Sequence, residues 1–301
     1  MITYEGSKSL VLASMTAVAL IFAPGCRKDT TLSDQAQIGA AVGEVMASAD
    51  DAASGSSTMA SLHGLPFRGM PDGLEGPLWR RALAAVEPSA YGAACYPFSF
   101  SACASGVRTE TFSSCSYGAA TIDGSVTLTF SDTAACGLVA AGDSVARTAN
   151  FSVTGPYGGT LAVSSPGGGQ VLTRTATGWT FAVPGMERVL TGPAGHKLFD
   201  ISTMTTTDLT LTGTSRADRT IVSGTLVVEH NIAKYQVALT PNNLTWSAKC
   251  TCAVSGSLTG TVSGGADDGK SATVTLTGCG TADVSINGES ESVTMDRCAS
   301  I

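Results

Sequence analysis

The stretch LTWSAKCTCAVSGSLTGTV, residues 244–262, alternates apolar or small side chains with polar ones along its whole length. A period of two is typical of a β-strand with one buried face. We expect one strand, bent at its glycines, with Cys250 and Cys252 on the inward face. Neighbours on one face lie about 7 Å apart, too far for these two cysteines to bond each other. Cys279 and Cys298 are the available partners, and the sequence leaves open which pairs with which.

The same alternation recurs along the chain after Gly118. The further runs are 126–130, 151–153, 161–163, 179–183, 209–211, 226–228, 235–239, 274–276 and 293–295. The turn signals between the runs are Gly155-Pro156, Pro166-Gly167, Asp268-Gly269 and Asn287-Gly288. The pattern predicts an all-β fold built on an antiparallel sheet of roughly ten to twelve strands. We expect a sandwich or a curved meander. A barrel is less favoured because three tryptophans and nine phenylalanines would line a wide one poorly.

Two short helices are predicted before the sheet. One has the apolar face Ile38, Ala41, Val42, Val45 and Met46, a narrow stripe that would lie weakly on the domain or on a lipid surface. Residues 48–61 then form a flexible linker rich in Ala, Ser, Asp and Gly. The second helix lies near 77–87, between Pro77 and Pro88. The predicted organisation is a signal peptide over 1–25, a leader and linker over 26–60, and a β domain over 61–301.

The composition limits the classes of binding partner that we expect. The chain has 301 residues, a formal net charge of −7 and no run of basic residues. Nucleic-acid binding needs clustered Lys and Arg, so we expect none. Charged residues make up 14% of the chain and 35 residues are glycine, a mixture that is similar to exported β-rich surface proteins.

No catalytic constellation stands out. The three histidines are His63 in the leader, His196 in a loop, and His230 on a strand. A loop histidine is the best candidate for a base, and Asp200 lies near His196 in sequence. No G-x-S-x-G, H-E-x-x-H, Walker or dinucleotide glycine motif is present. We assign no catalytic residue, metal or cofactor, and an exported hydrolase that uses a loop histidine stays an alternative.

Two charged turns are candidate binding sites. Arg216, Asp218 and Arg219 form the densest charge cluster of the β region. We interpret it as a solvated hairpin tip, although its guanidiniums suit a carboxylate or phosphate ligand. With His196, these three are the candidate binding residues. The stretch Asp267-Asp268-Gly269 is interpreted as a hairpin turn, with an incomplete calcium shell as the alternative.

The N-terminal residues have the layout of a secretory signal peptide: Lys8, an uncharged apolar run over 10–22, and then small residues. Pro24-Gly25-Cys26 resembles the lipobox of bacterial lipoproteins. The resemblance implies that Cys26 becomes the mature N-terminus and carries fatty acyl chains that anchor it to a membrane. Arg27 stands where that family uses aspartate for inner-membrane retention, which favours the outer membrane. The alternative is an ordinary signal peptide cleaved elsewhere.

The cysteines fit an exported chain. Apart from Cys26, eight remain, in two groups of four: Cys95, Cys103, Cys115 and Cys136, then Cys250, Cys252, Cys279 and Cys298. An even set in an exported protein predicts disulfides, and we expect two within each group. The alternative is a pair of four-thiolate metal sites, although the single residue between Cys250 and Cys252 is short for zinc.

Together these observations predict a lipid-anchored lipoprotein of the cell envelope, with its β domain held off the membrane by the leader. Its expected role is structural, adhesive or ligand-binding, with a protein or glycan as partner. A carrier of lipids or other apolar ligands is a further alternative, which would need an apolar cavity inside the sheet.

Overall fold

A computed structural model describes residues 33–53, 101–117, 120–155, 158–295, 298 and 300. One helix, α1 (Asp34–Ala53), precedes the sheet. The strands are β1 Val107–Tyr117, β2 Ala120–Phe130, β3 Ser144–Thr154, β4 Thr160–Arg174, β5 Gly178–Thr191, β6 Lys197–Thr212, β7 Thr220–His230, β8 Tyr235–Trp246, β9 Ala253–Gly264, β10 Ser271–Gly278, β11 Thr281–Ile286 and β12 Glu289–Thr294. The predicted signal peptide, Cys26, His63, the helix near 77–87 and Cys95 lie outside the described residues.

The twelve strands form one antiparallel sheet in which each strand pairs with the next along the chain. The prediction of an all-β antiparallel fold is confirmed, and the arrangement is a meander. The period of two in the sequence appears as alternating burial, which is clearest in β3 and β8. Val237 and Leu239 of β8, for example, are fully buried while their neighbours Gln236 and Ala238 are exposed.

The turn predictions have mixed outcomes. Asn287 and Gly288 join β11 to β12 with φ values of 53° and 84°, the positive pair that a type I′ hairpin turn requires. Asp268 and Gly269 lie between β9 and β10. The prediction of a turn at Pro166-Gly167 is wrong, because both residues lie inside β4. They fall where the pairing of β4 with β5 shifts register, so the Pro-Gly signal marks a bulge in a continuing strand.

The prediction of one strand over 244–262 is also wrong. Strand β8 ends at Trp246 and β9 starts at Ala253, and the two pair as a hairpin. The sequence alternation continues through the connection because β8 and β9 both have a period of two. The six residues between them are an even number, so the apolar positions stay in step. Cys250 and Cys252 lie in this connection and are buried, as expected of the inward face.

Helix α1 is enclosed by the sheet. Its residues 37–50 are all buried, and it contacts β4, β6, β7, β11 and β12. In a flat sheet β6 and β12 would lie roughly 29 Å apart, whereas a helix is only about 10 Å wide. The sheet must therefore curl around the helix. Register shifts in seven of the eleven described strand pairs supply local bends for this curvature.

The expectation of a helix lying weakly on the domain is therefore wrong. The predicted face is right, but the opposite face is also buried, because glycines let the sheet approach. A Cβ on Gly39 would lie 2.5 Å from Val293 Cγ2, and one on Gly43 would lie 2.8 Å from Met295 Cβ. The helix also continues to Ala53, so the first six residues of the predicted linker are helical. The Ser33 hydroxyl accepts the Ala36 N–H at 3.1 Å and caps the first turn.

Hairpins alternate between two ends of the sheet. The lower end holds the connections after β1, β3, β5, β7, β9 and β11, and the upper end holds those after β2, β4, β6, β8 and β10. Three disulfides staple the upper end. They are Cys103–Cys136, Cys250–Cys279 and Cys252–Cys298. Cys115, in β1, is disulfide-bonded as well.

Candidate functional site

The strongest charge cluster lies where α1 meets the connection between β6 and β7. Arg216 Nε lies 2.9 Å from both carboxylate oxygens of Asp50, and Arg216 Nη2 lies 2.7 Å from Oδ2. Arg219 Nη1 donates to Asp50 Oδ1 and, at 3.3 Å, to the Asp50 carbonyl oxygen. The Asp50 and Arg219 side chains are 0% and 1% exposed. Two guanidiniums thus clamp one buried carboxylate.

Local structure explains how the two arginines converge. Residues Arg216–Asp218 form a short 3-10 helix between β6 and β7. This turn directs Arg219 into the core beside Asp50 and leaves Asp218 exposed, where it accepts the Ser215 hydroxyl at 2.7 Å. Burial lowers the pKa of Arg219 from its ordinary value, and the Asp50 carboxylate opposes that shift.

The interpretation of this cluster as a solvated hairpin tip is wrong for Arg219, and it holds for Asp218. The guanidiniums do bind a carboxylate, which is one of the two ligand types that their chemistry suits. That carboxylate belongs to Asp50 of the same chain. The cluster therefore fixes the C-terminal end of α1 to the upper end of the sheet.

Two further acidic residues of α1 face basic groups of the sheet. Glu44 Oε2 lies 3.8 Å from Arg188 Nη1 of β5, and it accepts the Ser48 hydroxyl through Oε1 at 3.1 Å. Asp34 Oδ1 lies 3.2 Å from His230 Nε2 at the end of β7. Sequence reasoning missed all three helix carboxylates. The available signal was their presence in an otherwise small and apolar helix, where a buried acid needs a partner.

His230 is the more constrained of the two described histidines. Its side chain is 1% exposed, and Nδ1 accepts the Ala233 N–H at 3.1 Å. Nδ1 is thus occupied, and the buried Nε2 faces the Asp34 carboxylate rather than a nucleophile, so the ring is not placed as a general base. Its ring lies 5.0 Å from the ring of Tyr235, whose pKa is raised by burial and, to a smaller extent, by Asp34 and Asp267. The geometry is that of a structural histidine.

His196, the loop candidate, is exposed in the connection between β5 and β6 at the lower end. The neighbouring Lys197 Nζ lies 2.6 Å from Asp200 Oδ2, and this hydrogen bond raises the pKa of the lysine. The nearby carboxylate thus pairs with Lys197. His196 and the Arg216–Arg219 cluster lie at opposite ends of the sheet, so the four candidate binding residues do not form one site.

The cysteines and the Asp268 carboxylate of the two predicted metal-site alternatives are engaged in other interactions. Seven of the eight predicted cysteines are disulfide-bonded, six of them in the three pairs named above, so the prediction of disulfides is confirmed for these pairs. The four-thiolate alternative is wrong for Cys250, Cys252, Cys279 and Cys298. In the turn after β9, Asp268 Oδ1 accepts the Gly264 N–H at 2.7 Å. Across the described part of the chain, no three His, Cys, Asp or Glu side chains group as metal ligands do.

One buried acid has no hydrogen-bond partner in the part of the chain that the structure describes. Glu110 of β1 is 3% exposed, and neither carboxylate oxygen has a hydrogen-bond partner. Burial raises its pKa from 4.5 to about 7, since desolvation disfavours the charged form. A perturbed carboxyl of this kind is a candidate proton-binding group.

A polar groove of about 280 Å³ opens where β3 and β4 lose register. Its lining is Ser125, Thr127, Thr148, Ala149, Asn150, Ser164, Ser165 and Pro166. The bulge leaves the Ala149 N–H bonded to the Ser165 hydroxyl at 2.9 Å instead of to a strand partner. The groove therefore presents hydroxyl and amide groups without a charged side chain in its lining.

Comparison with protein-family models, curated proteins and solved structures finds no match to this chain. No helix among the described residues is long and apolar enough to cross a membrane. The disulfides indicate an oxidising, extracytoplasmic location.

Proposed function

We propose that the protein is an exported lipoprotein, anchored through Cys26 in the cell envelope, preferably in the outer membrane. Its sheet is a structural or ligand-binding module that meets a protein or glycan partner at its outer surface. The main support for binding at the outer surface is the position of α1. The helix fills the concave side of the sheet, so a partner meets the sheet from its outer side.

Two features support the anchor. The sequence Pro24-Gly25-Cys26 follows a short apolar segment, as in the lipobox of lipoproteins. Fatty acyl chains on that cysteine suffice for stable anchoring, since two chains exceed the threshold that a single chain fails to reach. The three disulfides support export independently, because cytosolic reductants keep thiols reduced.

The interior supports a surface role over the alternatives. A carrier of apolar ligands needs an open apolar cavity, whereas here α1 occupies the inside of the curl and buries its whole circumference between residues 37 and 50. A hydrolase needs a base oriented beside a nucleophile. The carboxylate near the loop histidine His196 pairs with Lys197 instead, and the buried His230 faces Asp34 and the Ala233 N–H. The outer face carries the polar groove, whose hydroxyls suit a hydrogen-bonding partner.

Fractionation and intact mass test the anchor. The natural chain and a form exported behind an ordinary secretory signal, without Cys26, are compared in the same cells. We expect the natural chain in the membrane fraction with the mass of a product that starts at Cys26 plus acyl chains, and the other form in the soluble fraction. An unmodified, membrane-free product of the natural chain contradicts the anchor.

Site-specific photo-cross-linking in the cell tests the outer surface. A probe replaces Asn150 in the groove, and the matched control replaces Thr273, on the outer face of β10. We expect adducts of discrete mass from position 150 and none from position 273. Equal patterns from the two positions would contradict a binding role for the groove.

A further inference from the structure

Contacts along α1 give its direction through the sheet. Asp34, in its first turn, meets His230 at the lower end. Further along, Gly39 lies against Val293, and Asp50 meets Arg219 at the upper end. The helix therefore runs from the lower end to the upper end, and its first residue, Asp34, lies at the lower end.

The tether before the helix is short. Six residues lie between Cys26 and Ser33, and the seven residue steps of a fully extended chain from one to the other span at most about 25 Å. Twenty residues of helix are about 30 Å long. A lipid on Cys26 is thus held within about 25 Å of the lower end, while the upper end lies a further helix length away.

We propose that the lower end of the sheet rests against the lipid headgroups and that the upper end, with its three disulfides, points away from the membrane. This orientation rests on the lipid anchor proposed above. It differs from the expectation that the leader holds the domain off the membrane, because residues 34–53 of the leader form α1, which the sheet encloses. The surface that contacts the membrane includes the exposed Ile232 and Lys234, between β7 and β8.

Exposed lysines at the two ends of the sheet can report this orientation. Lys234 and Lys270 are exposed in connections at the lower end. Lys249 is exposed at the upper end, between β8 and β9. A membrane on the lower end would shield the first two amines and leave the third accessible.

The test labels these lysines with a membrane-impermeant amine reagent and quantifies each by mass spectrometry. The lipidated protein is reconstituted in phosphatidylethanolamine–phosphatidylglycerol vesicles, and the form without Cys26 is mixed with the same vesicles. We expect several-fold lower labelling of Lys234 and Lys270 in the lipidated protein and equal labelling of Lys249 in both. Inserting thirty Gly/Ser residues after Lys28 keeps the lipid and lengthens the tether by about 30 Å, so labelling of Lys234 and Lys270 should recover.

Equal labelling of all three lysines in vesicle-bound, lipidated protein would overturn the orientation, and so would selective shielding of Lys249. The intact mass of the same sample reports the anchor separately. Acyl mass with equal labelling leaves the proposed function standing and removes only the orientation. Absence of acyl mass removes the anchor and the orientation together.

Discussion

The carboxylate of Asp50 in α1 is paired with the guanidinium of Arg219, 169 residues later in the chain, and both side chains are buried. The pair joins the N-terminal helix to the connection between β6 and β7. A buried charge whose partner is removed is costly, because the remaining group stays desolvated without compensation. The leader helix is therefore an integral part of the fold.

Replacing Arg219 should show this cost. We expect Arg219→Ala to lower the free energy of unfolding by about 3–5 kcal/mol, since it leaves Asp50 buried with only Arg216. Urea unfolding measures the change. Asp218→Ala is the matched control, since that side chain is exposed in the same turn, and it should cost no more than about 0.5 kcal/mol. Equal costs for the two variants would contradict the buried pair.

The close approach of α1 to β12 predicts a steric effect at Gly39. Alanine is the better helix former by about 1 kcal/mol, yet we expect Gly39→Ala to destabilise by about 1–3 kcal/mol because its Cβ would overlap Val293. In a Val293→Ala background the overlapping methyl is gone, so the same substitution should be neutral or stabilising. Thermal unfolding of the four proteins checks the cycle. A stabilising Gly39→Ala in the natural background would show that the helix does not contact β12.

Glu110 predicts a dependence of stability on pH. Its pKa is raised from 4.5 to about 7 in the folded protein, so between these values the native state holds a proton that the unfolded state has released. Stability from this group is therefore present below pH 4.5 and is lost as the pH rises toward 7. Glu110→Gln removes the ionisation, and its stability relative to the natural chain should rise between pH 4.5 and 8 by roughly 1–3 kcal/mol. A difference that stays constant with pH would contradict a buried, proton-holding Glu110.

The disulfides should differ in their contribution to stability. Cys103–Cys136 and Cys252–Cys298 span separations of 33 and 46 residues, for which loop-closure entropies differ by only about 0.3 kcal/mol. Each double replacement by serine should cost about 2–4 kcal/mol. We expect the larger loss for the second pair, because Cys252 is fully buried and its sulfur lies 3.7 Å from the Gly43 carbonyl oxygen of α1. Urea unfolding under non-reducing conditions measures both, and a larger loss for the first pair would be the contrary result.

The sequence predicts local features better than distant ones. The period of two identified most strands, and Asn287-Gly288 identified a turn, because both signals arise between neighbouring residues. Strand β1 was missed because its segment TFSSCSY has a weak apolar pattern. The hairpin inside 244–262 was missed because alternation alone does not mark where a chain reverses.

The burial of α1 was the main feature that the sequence concealed. Its narrow, alanine-rich stripe suggested weak contact on one side, and nothing in the sequence pointed to burial of Glu44 and Asp50. Their partners, Arg188 and Arg219, lie more than a hundred residues away, and no local pattern connects them. The charge cluster at Arg216 was found in the sequence, but its ligand was not.

Alkylation of thiols in the denatured, unreduced protein isolated from cells tests the central claim of export most directly. We predict that Cys103, Cys136, Cys250, Cys252, Cys279 and Cys298 stay unlabelled until a reductant is added and are all labelled afterwards. Labelling of these six before reduction would mean that the chain folds in a reducing compartment, and it would contradict both the export and the anchor.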